Sequence, residues 1–262
     1  MSIDKRDLIL ESIIQAYLEM NEPIGSSELC SRMSLNIPAS TIRVYFKKLS
    51  DEGAITQLHI SSGRIPTATA MSYYWREKLD LSSNLMITNL DLLSFLVYDF
   101  GIYCMIFGDK KLKLSSIINV QDKFLLLDFD EESLSIKFAP KIEKFLNNLI
   151  GIDINELEKI SAQVGLSELR AKIKEFKRSQ IYFQENEKIA LEMFDDNGIK
   201  SILDPSFVQY FKSNLIYEPL FKSGYMGLKA NVEFNGNPAV MICAGSVYND
   251  YEKFLNHIKE VA

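Results

Sequence analysis

Pro38-Ala39-Ser40-Thr41-Ile42-Arg43-Val44-Tyr45-Phe46-Lys47-Lys48-Leu49, then Ser50-Asp51-Glu52-Gly53, then Ala54-Ile55-Thr56-Gln57-Leu58-His59-Ile60-Ser61-Ser62-Gly63-Arg64-Ile65-Pro66-Thr67 is the stretch whose reading decides the fold. Ile42, Phe46 and Leu49 recur at helical spacing and share one face. Ser40, Arg43, Val44, Lys47 and Lys48 fall on the others. Gly53 is a natural helix stop, because the residue past a helix end often needs positive φ. Ala54 to Ile60 then suits a strand, Ser61-Ser62-Gly63 a turn and Arg64-Ile65 the return, ended by Pro66. A basic helix followed by an Arg-tipped hairpin is the pattern of a winged helix-turn-helix, with the helix in a DNA groove and the hairpin on the adjacent backbone.

Upstream, Ile9, Ile13, Ala16, Tyr17 and Met20 give a helix over residues 6–19. Asn21-Glu22-Pro23-Ile24-Gly25 breaks it. Ser26 is a natural N-cap for a short helix through about Met33. Three helices and a hairpin thus fill residues 5–67. From Arg32 to Arg76 the bases are Arg32, Arg43, Lys47, Lys48, Arg64 and Arg76, against only Asp51 and Glu52. The earlier acids, Asp4 to Glu28, would form an acidic back.

The chain has 262 residues, room for one or two domains beyond a winged helix. Hydrophobic residues make up 47%, enough for a packed core. A net charge of −6 argues against a protein that coats nucleic acid without specificity. Cys30, Cys104 and Cys243 are odd in number and far apart, so neither a disulfide framework nor a zinc site is expected. The first seven residues mix acids and bases with no apolar run, unlike a secretory signal. The most apolar stretch, residues 92–107, holds Asp99 and Gly101 and is too short for a bilayer. No hydrolase, zincin, Walker or dinucleotide fingerprint is present, and two histidines offer little acid–base chemistry. The expectation is a cytoplasmic non-enzyme with no metal or cofactor.

Three strings, Glu22-Pro23-Ile24-Gly25-Ser26, Ser40-Thr41-Ile42-Arg43 and Gln57-Leu58-His59-Ile60-Ser61-Ser62-Gly63-Arg64-Ile65-Pro66-Thr67, resemble the HrcA family of heat-inducible transcription repressors in residues, order and spacing. The match is strongest over the first 75 residues or so. Beyond it, Leu149-Ile150-Gly151, Ile202-Leu203-Asp204-Pro205-Ser206-Phe207 and Asn249-Asp250-Tyr251 resemble family positions. Val44-Tyr45 stand where the family commonly has Asn and an acid, and Pro38 where a polar cap is common. A C-terminal Gly-Pro-Thr-Arg-Met-like string is replaced by Ala244-Gly245-Ser246-Val247-Tyr248.

The resemblance implies a homodimeric repressor on an inverted-repeat operator, CIRCE, upstream of chaperone operons, tuned by the GroEL-type chaperonin. It also implies an α+β architecture: a winged helix over 1–80, a GAF-like domain over 81–140 and 183–262, and a helical dimerising insert over 141–182. Periodicity agrees. Residues 87–98, 155–163, 167–180, 185–194 and 250–261 read as helices. Residues 102–107, 117–120, 124–129, 229–234 and 239–243 read as strands, the last two joined by an Asn235-Gly236 hairpin. A different class of function is a regulator whose GAF-like half binds a small molecule.

The DNA-contact candidates are Ser40, Thr41, Arg43, Val44, Lys47, Lys48, His59, Ser61, Ser62, Gly63 and Arg64. Arg43 is the expected base reader, since Arg to guanine is the commonest specific pairing, with a phosphate contact beside it; its plain alternative is an ion pair with Glu52 or another surface acid. Ser40 and Thr41 either cap the helix or meet a phosphate. Val44 packs or touches a thymine methyl. His59 reads first as a structural hydrogen-bonded residue, Gly63 as turn geometry, and Arg64 as a backbone or minor-groove contact.

Overall fold

The computed structural model describes residues 4–59, 63–82, 85–108, 112–129, 132–194 and 202–260. The chain is mixed α+β. Its first unit holds α1 (Lys5–Met20), α2 (Ser26–Arg32), α3 (Ala39–Asp51) and a hairpin of β1 (Ile55–Thr56) and β2 (Ile65–Pro66). Ile9, Ile13, Ile24, Leu29, Ile42, Phe46, Leu49 and Ile55 are buried together as its core. The α1 start is capped by Asp4, whose carboxylate accepts from the Arg6 amide at 3.0 Å. The α3 end turns at Gly53, φ +72°, which lets the Ala54 amide reach back to the Leu49 carbonyl at 2.8 Å. Of the strand expected over 54–60, the described residues form Ile55–Thr56, paired to Pro66 and Ile65, and Ile60 lies outside the described residues; a proline in the partner strand removes one ladder donor.

Helix α4 (Ala68–Lys78) leads to β3 (Leu85–Ile87), α5 (Leu90–Asp99) and β4 (Ile102–Gly108). The helix expected from Ile87 starts later, because Asn89 caps it by accepting from the Leu92 amide at 3.0 Å, and Ile87 is left to a strand. A six-stranded sheet runs β3–β10–β11–β4–β8, with β8 (Ile181–Glu185), β9 (Leu215–Ile216), β10 (Tyr225–Phe234) and β11 (Asn237–Ser246); β9 pairs β10 beside β3. Among the described residues, only β3–β10 is a parallel pair. The β10–β11 turn places Asn235 and Gly236 at φ 48° and 80°, the geometry that favours Asn-Gly in two-residue hairpins. Strand β8 took the start of the helix expected over 185–194, leaving α9 as Glu187–Glu192.

Strand β4 is buried on both faces from Ile102 to Phe107, which explains a run without alternation. One face packs Cys104, Ile106, Met226, Leu228, Met241 and Cys243 against α4, α5 and α10 (Tyr251–Glu260). The other packs Tyr103, Met105, Val240 and Ile242 against α9 and a 3-10 turn, Pro205–Tyr210, with Phe194, Phe207, Phe211 and Phe221 between.

Strands β5 (Ser116–Val120), β6 (Phe124–Phe129) and β7 (Glu132–Lys137) form a separate three-stranded sheet. Its inner face, Leu125, Leu127, Phe129, Leu134 and Ile136, packs on α6 (Pro140–Asn147), α7 (Ile154–Gln163) and α8 (Ser167–Ser179). This third unit therefore includes strands that periodicity alone grouped with β4.

Candidate nucleic-acid interface

Helix α3 buries Ile42, Phe46 and Leu49 and leaves Ser40, Arg43, Val44, Lys47 and Lys48 exposed. Thr41 and Tyr45 are half-buried. Thirteen residues make a rod about 20 Å long. Its cap residue is Pro38, which has no side-chain acceptor, so Ser40 and Thr41 sit inside the first turn rather than capping it. Val44 is 68% exposed and belongs to no core.

Arg43 does not pair with Glu52. Glu52 is taken by Arg6, whose Nε and Nη2 donate to one carboxylate oxygen at 2.9 and 2.7 Å, which raises the Arg6 pKa further. Arg43 Nε instead donates to Ser26 Oγ at 3.1 Å. Ser26 is not the α2 cap the sequence suggested. Gly25 occupies that place, and the Ser26 hydroxyl orients Arg43.

The return arm of the hairpin is fastened to the α1–α2 connection. The Ile24 amide donates to the Arg64 carbonyl at 3.0 Å, and the Arg64 amide to the Ile24 carbonyl at 2.8 Å. Gly63 passes so close to Ile24 that an added Cβ would lie 2.4 Å from its carbonyl carbon. Close approach, not turn angle, explains that glycine. Arg64 is half-buried, and its Nε is covered with no hydrogen-bond partner among the described residues. Leu58 and His59 are exposed on the outgoing arm. Ser61 and Ser62, with Ile60, lie outside the described residues.

Arg43, Lys47 and Arg64 line one open cleft of about 560 Å³ with Gly25, Ser26, Phe46, Ser50, Gly63 and one carboxylate, Asp51. Guanidinium, ammonium and hydroxyl groups here can donate to phosphate oxygens or to base edges. The basic surface is narrower than the sequence suggested. Arg32 pairs with Glu19 at 2.9 Å and Glu28 at 3.7 Å. Arg76 lies over the Tyr217 ring at 4.6 Å, away from α3.

Sequence reasoning missed Thr67. Its hydroxyl donates to the Gly53 carbonyl at 2.8 Å and accepts from the Ala70 amide at 3.3 Å, so it ties the α3 stop to the hairpin stem and caps α4. A Thr before the Ala68-Thr69-Ala70 helix start was the available signal.

Among the described residues no helix is long and apolar enough to cross a membrane. The heat-inducible transcription repressor HrcA of Helicobacter pylori strain 26695 is 28% identical over 267 residues, covering 99% of this chain and 96% of that protein. The protein of the same name from Staphylococcus saprophyticus is 35% identical over 99 residues, 38% of this chain and 30% of that one. A crystal structure of a hypothetical protein aligns over 98% of this chain and 96% of its own, with TM-score 0.47 and 21% identity. Residues 75–262 match the family model described as the HrcA C-terminal domain. The chain therefore belongs to the HrcA family of heat-inducible transcription repressors.

Proposed function

We propose that this repressor acts in the cytoplasm as a homodimer on an inverted-repeat, CIRCE-type operator upstream of chaperone operons, and that a GroEL-type chaperonin tunes it. Residues 1–80 are its winged helix. The six-stranded sheet is the GAF-like domain. The helices expected as the dimerising insert over 141–182, α6–α8, share a core with the three-stranded sheet, and on this reading sheet and helices together are the insert. The reading rests on the cleft where Arg43, held by Ser26, meets Lys47 and Arg64. On it, Ser40, Thr41, Arg43, Val44, Lys47 and Lys48 face the groove, and His59, Ser61, Ser62, Gly63 and Arg64 the adjacent backbone.

A two-fold operator needs a two-fold protein. The outer face of the three-stranded sheet supplies an apolar surface for it. Ile118 pairs with Leu126 and Val120 with Phe124. Ile118, Val120 and Phe124 are 50%, 42% and 49% exposed. Exposed apolar side chains grouped on one sheet face favour an interaction surface. The small-molecule reading has less support, since the sheet face that would hold a ligand is packed with phenylalanines. Phe194 lies edge-on to Phe221 at 5.2 Å and to Phe207 at 6.3 Å.

Heat would lower active repressor by loosening the insert and so the dimer. The deciding experiment is a gel shift of the full chain on the inverted repeat and on scrambled DNA, before and after incubation at heat-shock temperature. Selective binding, lost with the dimer on heating, supports the reading. Equal binding to both DNAs overturns it.

A further inference from the structure

The loop that follows β11 joins the six-stranded unit to α4 and the N-terminal unit. Its base is fixed to the six-stranded unit. The Val247 amide donates to the Gly224 carbonyl at 2.9 Å, and Asn249 Nδ2 to the Gly101 carbonyl at 2.9 Å. Its other side meets α4 and the N-terminal unit. Trp75 Nε1 donates to the Val247 carbonyl at 2.7 Å. The Tyr248 hydroxyl donates to the Pro66 carbonyl at 3.2 Å, and its ring meets Tyr17 edge-on at 5.5 Å. Pro66 is two residues from Arg64, whose backbone holds Ile24. Tyr248 therefore touches the hairpin stem and α1 at once.

We infer that Tyr248 is a positioning residue: it fixes the orientation of the DNA-binding unit on the dimerising body, so that both units of a dimer meet their half-sites at one spacing. This rests on the DNA-binding reading above. Apolar packing of Ile14, Met71 and Trp75 against the body holds the seam together, and the Trp75–Val247 hydrogen bond is a single directional anchor across it. Such packing is non-directional and tolerates rotation. A hydrogen bond is directional, and anchoring to two separate elements resists the turning that a single anchor would permit. An orientation that spreads lowers the effective concentration of the second unit at its half-site without altering the first.

The test uses the full chain with Tyr248→Ala and Tyr248→Phe, on three DNAs: the inverted repeat, the repeat with its spacer lengthened by about half a helical turn, and one half-site. We expect Tyr248→Ala to bind the intact repeat about tenfold more weakly and the half-site under about twofold more weakly, with a smaller preference between the two spacings. Tyr248→Phe keeps the ring on Tyr17 and falls between. Trp75 is the single tryptophan and sits in the seam, so unchanged emission shows that the apolar packing persists. If Tyr248→Ala shifts that emission, Tyr248→Phe decides. Equal loss on repeat and half-site, or no loss on either, overturns the inference. A wild-type chain that does not prefer the repeat to scrambled DNA overturns the DNA-binding reading instead.

Discussion

An added Cβ on Gly63 would lie 2.4 Å from the carbonyl carbon of Ile24 and 2.5 Å from its oxygen. Both neighbours are backbone, and two amide–carbonyl bonds hold the strands at this distance. Neither can step aside as a flexible side chain would. Gly63→Ala should therefore cost roughly 1–3 kcal/mol through displacement of the return arm. A urea melt would read the loss, and operator affinity should fall with it. A variant as stable as wild type would show that the arm is not clamped.

Arg43 and the lysines should separate by specificity. Arg43→Ala should cost roughly 1–3 kcal/mol on the operator and much less on random DNA, if it reads a base edge. Lys47→Ala and Lys48→Ala should weaken both DNAs alike and lower the salt slope by about 0.9 for each phosphate no longer neutralised. Arg64→Ala should resemble the lysines, with an extra loss on A·T-rich flanks if it enters a narrow minor groove. Ser26→Ala frees Arg43 without removing its charge, so its effect should follow Arg43→Ala in direction at smaller size. A salt titration on two DNAs checks all five proteins, and equal proportional losses for Arg43→Ala would remove it as the reader.

Two ion pairs, one joining α7 to α8 and one tying α8 to the residue before the 3-10 turn, should differ in weight. Lys177 and Glu158 meet at 2.5 Å with side chains only 12% exposed each, and Ser206 Oγ donates to the same carboxylate oxygen at 3.2 Å. Glu158→Ala strands a mostly buried ammonium and should cost roughly 3 kcal/mol. Arg178 meets Asp204 at 3.3 Å but is 62% exposed, and Asp204 keeps the Ser206 amide at 3.0 Å. Arg178→Ala should cost less than about 1 kcal/mol. Thermal melts would show whether the order holds.

The exposed sheet face makes a prediction about assembly. Phe124→Lys or Ile118→Asp should leave the fold intact, since both side chains already face solvent. Sedimentation should show a shift from dimer to monomer, with operator affinity falling and half-site affinity unchanged. Dimers that persist in both variants would place the interface elsewhere.

The thiols should fall into two classes. Cys104 and Cys243 are fully buried partners on β4 and β11, with sulfurs 3.6 Å apart, and burial holds the Cys104 pKa well above the ordinary thiol value. Cys30 is half-buried on α2. Ellman's reagent should thus titrate one thiol quickly in the native chain and three after unfolding. Rapid reaction of all three in the native state would contradict the packing of β4.

The sequence by itself determined whatever depends on neighbours a few residues apart. Ile42, Phe46 and Leu49 fixed which face of α3 is buried, because a helix repeats every 3.6 residues. Gly53 ended it and Asn235-Gly236 turned β10 into β11, because only a few residues adopt positive φ cheaply. Family identity was legible for the same reason, in strings that are contiguous. The tertiary structure alone decided what pairs across distance. It gave Glu52 to Arg6 and left Arg43 to Ser26; charge permitted either pairing, and only the packing of α1 against α3 chose. It separated β5–β7 from β4, because strand periodicity shows which side chains alternate and not which strand lies alongside. It brought Tyr248 to Pro66 across 182 residues, a pairing that no local pattern encodes because the folded seam itself creates it.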